Sequence, residues 1–214
     1  MSKIYVTHIG TDESGKGDFF GPLVIAGVMV SEDAAKYFLD LGIKDSKKLS
    51  DKKMLALSVE IKKTAPFSII AISNPKYNEL YNNMKNLNKL LAWGHARAIE
   101  NILEKHHCEY ALSDKFGDES LISSALMKNG RNIRLEQMCK AESDIAVAAA
   151  SVLARATFVQ KLQTMENTYG LRFQKGCSSL VKDVALEFIK KHGTEKLKEV
   201  CKTHFRTYNE VLSL

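Results

Sequence analysis

Residues 10–22 read GTDESGKGDFFGP and lie between a short β-prone run, Ile4-Tyr5-Val6, and an apolar run at residues 23–30. The segment therefore joins the end of one predicted strand to the start of the next. Its four glycines and three acids exceed what a tight hairpin needs, since a two-residue turn requires only one Asn-Gly or Asp-Gly pair. Glycine permits positive φ angles and lets another backbone approach closely, so the segment is a candidate functional loop.

Two carboxylates, Asp12 and Glu13, are adjacent in this segment. They repel each other unless a cation lies between them, and carboxylate oxygens suit Mg²⁺ and Mn²⁺. The segment is therefore either a divalent metal site beside a loop that approaches phosphate, or a polar turn with solvated acids. In a regular strand the two side chains point to opposite faces, so a shared site requires the strand to end or bulge here. Gly10 and Gly15 make that possible.

The length and composition bound the class of protein. The chain has 214 residues, 45% of them hydrophobic, which supports one large domain or one domain with a small appendage. No run of about 18 apolar residues occurs, so we expect no membrane span. The four cysteines are widely spaced without a C-x-x-C pair, which argues against a zinc ribbon or redox motif. Free thiols in a reducing cytoplasm fit this pattern best.

The formal net charge is +6, and the excess of basic residues, Lys202 among them, is clearest between Arg172 and Arg206. Two basic amphipathic helices are predicted in this region, at residues 180–192 and 194–203. A basic surface suits a polyanionic partner such as nucleic acid. The alternative is an ordinary solvated helix face.

The middle of the chain contains a third candidate acid. Asn74-Pro75 opens a predicted long helix that continues to about Leu103, and His95 within it is assigned a structural role. Asp114 follows a short predicted strand, residues 109–113. Because ligands gather outside the carboxyl ends of strands in open α/β sheets, Asp114 is either a further site residue or a cap or turn residue.

Two more acids, Glu142 and Asp144, precede a strongly helical segment, residues 145–166, whose first part is rich in small side chains. Both acids suit a helix N-terminus and can simply cap it. A helix packed closely on a sheet is also a rigid support for a metal ligand. Lys47 and Lys48 lie in a polar loop, where they either meet phosphates or remain solvated.

Four segments, in this order, resemble the sequence motifs of the type 2 ribonucleases H, and among these the ribonucleases HIII most closely. The resemblance extends from Gly10 to Arg155 and continues into the basic C-terminal part. The matching segments are residues 10–22, Asp45-Ser46-Lys47-Lys48-Leu49, Asp114-Lys115-Phe116, and Lys140-Ala141-Glu142-Ser143 with the helix that follows.

The resemblance implies an RNase H-like α/β fold, with a mixed central β-sheet flanked by helices and a C-terminal helical extension. It implies a catalytic domain at residues 1–170 and a basic helical region at residues 171–214 that packs on this domain and binds substrate. The expected protein is a cytoplasmic monomer without a membrane segment.

The activity implied by the resemblance is endonucleolytic hydrolysis of the RNA strand of RNA/DNA hybrids by two-metal-ion catalysis, leaving 5′-phosphate and 3′-hydroxyl ends. The implied cofactors are Mg²⁺ or Mn²⁺, and the implied partner is the hybrid duplex. The catalytic and metal-binding residues carried over are Asp12, Glu13, Asp114 and Glu142, with Asp144 as the second choice for the fourth acid. The substrate-binding residues carried over are Gly15, Lys16, Gly17, Lys47 and Lys48.

Two departures separate this chain from the sister ribonucleases HII. Those typically have Gly-Arg-Gly-Pro in place of residues 15–18, and a Tyr that recognises an RNA–DNA junction in place of Cys177. Both departures favour the HIII-like interpretation over the alternative, HII-like cleavage at single ribonucleotides embedded in DNA. Typical ribonucleases HIII also carry an N-terminal substrate-binding domain. We expect it to be lacking here, because the first motif starts close to Met1, and the basic C-terminal helices would then compensate.

Three other classes of protein share part of this pattern. Another RNase H-fold nuclease would share the acids but not the sequence context of residues 15–17 and 45–48. A non-catalytic hybrid-binding protein would not need to retain all four acids. A metabolic enzyme with a phosphate-binding loop would need a glycine spacing that is absent here.

Overall fold

A five-stranded sheet forms the centre of the fold in the computed structural model, which describes residues 6–43 and 49–213. The strands are β1, His8–Ser14; β2, Leu23–Val30; β3, Phe67–Ile72; β4, Tyr110–Asp114; and β5, Arg134–Met138. Their order across the sheet is β3-β2-β1-β4-β5. The mixed sheet with flanking helices confirms the predicted α/β class.

Nine α-helices accompany the sheet in the described residues. They are α1, Glu32–Asp40; α2, Asp51–Thr64; α3, Asn74–Met84; α4, Leu87–Leu103; α5, Glu119–Ala125; α6, Ile145–Tyr169; α7, Ser179–His192; α8, Leu197–Val200; and α9, Arg206–Leu212. Serine side chains cap α1 and α2: Ser31 accepts a hydrogen bond from the Ala34 amide, and Ser50 accepts one from the Lys53 amide.

The strand pairing brings two predicted acids to one edge of the sheet. β1 pairs with β4 in parallel, and the last pair in register is Thr11 with Ser113. One residue further along each strand come Asp12 and Asp114. Because the strands are parallel, both acids lie at the carboxyl ends of neighbouring strands.

The two faces of the sheet are covered by different helices. Ile9 of β1 and Ala111 of β4 pack in one core cluster with Ile99 and Ile102 of α4. On the other face, Leu112 of β4 packs with residues of α6 and the turn before it. Successive strand residues therefore alternate between an α4 face and an α6 face.

Gly10 lies on the α6 face, where the helix approaches the strand closely. A Cβ added at Gly10 would lie 2.2 Å from the backbone carbon of Ala146 and the backbone nitrogen of Val147. Glycine at this position therefore lets α6 pack directly on β1, rather than allowing the strand to bulge. The alanine-rich start of α6 has the same effect from the other side, because small side chains permit close packing.

α6 is also, in the described part of the chain, the one helix long and apolar enough to cross a membrane by length and composition. Its most apolar 18-residue window is 72% buried inside the protein. The core helix of a folded domain passes the same test, so this helix is weak evidence for a membrane span.

The chain divides into two compact units. The first, here called the sheet unit, comprises the described parts of Met1–Glu13, Ile25–Ile70 and Leu87–Ala156. The second, here called the helical unit, comprises Ser14–Val24, Ala71–Asn86 and the described part of Thr157–Leu214. All four predicted catalytic acids belong to the sheet unit, whereas residues 15–17 belong to the helical unit.

Two predicted helices differ from those observed. The long helix expected from Asn74 ends at Met84, because Lys85 adopts a left-handed conformation with φ 48°, and α4 begins at Leu87. The helix expected at residues 194–203 is reduced to α8, since Cys201 instead forms an antiparallel bridge with Phe20.

Candidate active site

Asp12 lies near the carboxyl end of β1, on the α6 face, and is partly buried. Its carboxylate accepts a hydrogen bond from Ser151 of α6. Burial and then the charge of Glu13 raise the pKa of Asp12 to about 7, and the hydrogen bonds to its carboxylate offset this only in part. The site therefore has an excess of negative charge that a cation would relieve.

Glu13 lies on the α4 face, opposite Asp12. Its Oε2 atom is 3.2 Å from Nε2 of His95, whose side chain is fully buried. β1 runs without interruption to Ser14 and ends there, followed by Gly15 with φ +88°. Of the two routes foreseen for a shared site, β1 offers the ending of the strand, which comes one residue after Glu13. Because Glu13 is the residue before the last one of β1, its long side chain can extend past the end of the strand toward the edge of the sheet.

Asp114 ends β4 and is linked to the turn that contains Glu142. The Asp114 Oδ1 atom accepts a hydrogen bond of 3.0 Å from the backbone amide of Ala141. Ala141, Glu142 and Ser143 form a 3₁₀ turn immediately before α6. The hydrogen bond therefore joins the end of β4 to the residue preceding Glu142, on the α6 face that Asp12 also occupies.

The chemistry of these side chains fits a hard divalent cation. Four carboxylates offer oxygen ligands only, which is the donor set that Mg²⁺ and Mn²⁺ prefer. Among the described residues, however, no three His, Cys, Asp or Glu side chains are already grouped closely enough to hold a metal ion. The backbone brings the acids to one edge of the sheet, and metal binding would draw their side chains together.

Asp144, the second choice for the fourth acid, is engaged elsewhere. Its Oδ1 atom accepts hydrogen bonds from the backbone amides of Ala146 and Val147, so it caps the first turn of α6. Both of its carboxylate oxygens also lie within 3.0 Å of Nε2 of His8. The hydrogen bond and charge of His8 hold the pKa of Asp144 below its usual value, although burial opposes them.

His95 contributes to the site in a way that the sequence did not indicate. Its Nδ1 atom lies 2.9 Å from the Thr11 hydroxyl while Nε2 faces Glu13, so both ring nitrogens are engaged. Its ring stacks on Phe116 with centroids 4.8 Å apart. These contacts are consistent with the assigned structural role, and one of them reaches Glu13, a candidate metal ligand. No local sequence signal marks it, since the contact joins residues 82 positions apart.

The glycine-rich loop, defined here as residues 15–21, belongs to the helical unit. A Cβ added at Gly15 would lie 2.2 Å from the Pro22 carbonyl oxygen, and its positive φ also favours glycine. Gly17 differs, because an added Cβ would meet no atom within 4 Å. Gly17 is exposed and Lys16 half-buried, so part of the loop is open to solvent. Lys47 and Lys48, the other predicted substrate-binding residues, lie outside the described residues.

The comparison with known sequences identifies the family. Residues 9–208 match the family described as ribonuclease HII. The ribonuclease HIII of Protochlamydia amoebophila is 44% identical over 212 residues, which are 99% of this chain and 70% of that protein. The ribonuclease HIII of Chlamydia trachomatis serovar D is 44% identical over 209 residues, which cover 96% of this chain and 70% of that protein.

Solved structures agree with this assignment. The crystal structure of Bst-RNase HIII in complex with Mn²⁺ superposes with a TM-score of 0.90 at 30% identity, covering 97% of this chain and 70% of that one. RNase H3 of Aquifex aeolicus superposes with a TM-score of 0.76 at 31% identity, covering 92% of this chain and 72% of that one. These matches confirm the predicted RNase H-like fold. The chain belongs to the type 2 ribonuclease H family and is similar to its ribonuclease HIII members.

Proposed function

We propose that this chain is a metal-dependent endoribonuclease that hydrolyses the RNA strand of RNA/DNA hybrids. The observation that carries the proposal is that the parallel pairing of β1 with β4 brings Asp12 and Asp114 to the same edge of the sheet. There Asp12, beside Glu13, has a pKa raised to about 7. Membership of the ribonuclease H family supports the reaction class.

The residues proposed to hold the cofactor are Asp12, Glu13, Asp114 and Glu142. Two Mg²⁺ or Mn²⁺ ions, when bound, would supply an activated water and stabilise the leaving oxygen of the phosphodiester. The Mn²⁺ complex of Bst-RNase HIII supports this choice of cofactor. Without bound metal, Ser151 is hydrogen-bonded to the Asp12 carboxylate and His95 to the Glu13 carboxylate. The proposed products are 5′-phosphate and 3′-hydroxyl ends.

Glu142 is proposed as the fourth acid in preference to Asp144. The support is geometric, because Asp144 caps α6 and pairs with His8, whereas Glu142 lies in a turn tied to Asp114 through Ala141. A carboxylate that already receives three hydrogen bonds would have to give up several of them to bind a metal ion.

Substrate binding is proposed for Gly15, Lys16 and Gly17 of the glycine-rich loop, for Lys47 and Lys48, and for the basic region at residues 171–214. The open space around Gly17 supports the close approach of a nucleic-acid backbone. The 2′-hydroxyl distinguishes RNA from DNA, and lysine contacts to phosphate carry no sequence information. Cleavage is therefore expected to be largely independent of sequence and to weaken as salt is raised.

The proposal includes four finer points about this protein. They are an HIII-like substrate preference, a catalytic region at residues 1–170, a monomeric state and a cytoplasmic location. Cys177 in place of a junction-reading Tyr supports the substrate preference. All four cysteines are free thiols, which supports a reducing compartment.

A panel of three labelled substrates tests the proposal. The substrates are an RNA/DNA hybrid, a DNA duplex with one embedded ribonucleotide, and an all-DNA duplex, each with Mg²⁺, Mn²⁺ or EDTA. We expect metal-dependent cleavage of the RNA strand of the hybrid, and no cleavage in EDTA. Efficient cutting at the single ribonucleotide would favour the HII-like alternative. Hybrid binding without any cleavage would overturn the enzymatic proposal.

A further inference from the structure

Lys202 is buried, although the sequence places it among basic residues predicted to face a polyanion. Its side chain has an exposed fraction of 0%, and burial lowers the pKa of its amine to about 7. Burying an amine is unfavourable unless it is fully hydrogen-bonded, and a methionine would fill the same volume without that cost. Such a residue calls for an explanation in terms of what its amine contacts.

The Lys202 amine bridges both ends of the second half of the glycine-rich loop. Its Nζ atom donates a hydrogen bond of 2.8 Å to the Asp18 carbonyl oxygen and one of 2.6 Å to the Gly21 carbonyl oxygen. The Tyr77 ring lies 5.6 Å away and adds a cation–π contact. The same Gly21 oxygen also accepts a hydrogen bond of 2.8 Å from the Asn74 side chain.

Backbone pairing places Lys202 alongside the loop. The Lys202 amide donates to the Phe19 carbonyl at 2.9 Å, and the Gly21 amide donates to the Val200 carbonyl at 3.0 Å. These two bonds flank the antiparallel bridge between Phe20 and Cys201. The segment around Cys201 thus acts as a short strand on which residues 19–21 are held.

Lys16 and Gly17, in the first half of the loop, are more open by comparison. Residues 19–21 are buried, whereas Gly17 is exposed and has space around it. Lys202 therefore contacts the buried half of the loop, whose other half carries Lys16 and Gly17. An anchor at this position fixes the conformation in which the open half is presented to a ligand, without touching the ligand.

We propose that Lys202 is a positioning residue for hybrid binding, which acts by fixing the glycine-rich loop rather than by contacting phosphate. This inference rests on the proposed function, because it takes residues 15–17 as substrate contacts. It separates Lys202 from the exposed lysines of the same region, whose contribution to binding is electrostatic and depends on salt.

The test compares Lys202→Met with wild type and with Lys76→Met. Lys76 lies in the same unit and is exposed, so Lys76→Met makes the same change of residue type at the surface. For each protein we would measure kcat and KM on a labelled RNA/DNA hybrid with Mn²⁺, the salt dependence of hybrid binding, and amide hydrogen exchange at Phe19 and Gly21.

For Lys202→Met we expect KM to rise about tenfold, a change worth about 1.4 kcal/mol, with kcat nearly unchanged. The slope of log affinity against log salt should equal that of wild type, because a buried amine releases no counterion. Exchange at Phe19 and Gly21 should accelerate, whereas Lys76→Met should match wild type in exchange and in KM. A salt slope reduced by about one would mean a direct phosphate contact and would overturn the proposal, as would an unchanged KM.

Two further arms keep the test decisive. If Lys202→Met does not fold, Asn74→Ala removes the other side-chain donor to Gly21 and should show the same rise in KM and faster exchange at Gly21. An unchanged KM in folded Asn74→Ala would then count against loop anchoring. If wild type fails to cleave the hybrid, the proposed function fails, whereas the exchange measurement still reports whether Lys202 anchors the loop.

Discussion

At the scale of single residues, the candidate site depends on how β1 distributes two adjacent carboxylates. Asp12 is hydrogen-bonded to Ser151 on the α6 face of the sheet, and Glu13 is hydrogen-bonded to His95 on the α4 face. The adjacent acids could be recognised from the sequence, because they stand in a glycine-rich segment between two predicted strands. Their partners could not, because Ser151 and His95 come from helices far along the chain and their side chains have no distinguishing local pattern.

His95 gives a prediction about metal affinity. His95→Ala should weaken Mn²⁺ binding about 10- to 100-fold, because Glu13 loses the group that orients it. His95→Gln, which can still donate a hydrogen bond to Glu13, should recover part of the loss. Calorimetric Mn²⁺ titration without substrate checks this, with exposed His107→Ala as the control. Wild-type affinity in folded His95→Ala would rule out the positioning role.

At the scale of elements, the glycines of the loop have different roles. Gly17→Ala should leave the melting temperature unchanged, because an added Cβ meets no atom within 4 Å, but should raise KM for the hybrid. Gly15→Ala should cost about 1–3 kcal/mol of stability, because of its positive φ and the nearby Pro22 carbonyl. Thermal unfolding and steady-state kinetics separate the two effects. If Gly17→Ala has wild-type KM, close approach of substrate at this residue is wrong.

The start of α6 allows a paired test of the fourth acid. Asp144→Asn should lower the free energy of unfolding by about 1–3 kcal/mol, because it removes a charged cap and the partner of His8. Cleavage per folded molecule should remain. Glu142→Gln should lose less stability than Asp144→Asn, with cleavage reduced at least about 100-fold. If Asp144→Asn loses cleavage while Glu142→Gln keeps it, Asp144 rather than Glu142 is the fourth acid.

Local signals predicted many of the elements correctly. The strand before Asp114, the helix start at Asn74-Pro75 and the start of α6 at Ile145 all follow from neighbouring residues. The break at Lys85 was missed, because no glycine or proline marks it. The helix expected at residues 194–203 was shortened for a different reason. Cys201 pairs with Phe20, and such a tertiary contact overrides local helical periodicity.

At the scale of the whole molecule, net charge was a poor guide to individual lysines. The formal charge of +6 suggested a basic surface, yet Lys202 contributes hydrogen bonds inside the protein. Burial cannot be inferred for a lysine from composition, since it depends on carbonyl groups brought together by folding. The described part of residues 171–214 therefore combines exposed basic side chains with at least one internal anchor.

Lys202 also predicts how stability depends on pH. Its pKa is lowered from 10.5 to about 7 in the folded protein, so between these values the unfolded chain binds a proton that the folded chain does not. The free energy of unfolding contributed by Lys202 should therefore rise with pH, by about 2 kcal/mol from pH 7 to pH 9. Denaturant unfolding of wild type and Lys202→Met at both pH values measures the difference. A difference that does not change with pH would contradict a lowered pKa.

The most direct measurement compares wild type with Asp12→Asn, which keeps the shape of the side chain and removes its charge. Both proteins would be titrated with Mn²⁺ by calorimetry and assayed for cleavage of the RNA strand of a hybrid. We predict a folded variant with Mn²⁺ binding weakened more than about tenfold and cleavage reduced at least about 1000-fold, because Asp12 is proposed as a metal ligand at the reacting phosphate. A folded Asp12→Asn protein that binds Mn²⁺ and cleaves the hybrid like wild type would contradict the proposed site.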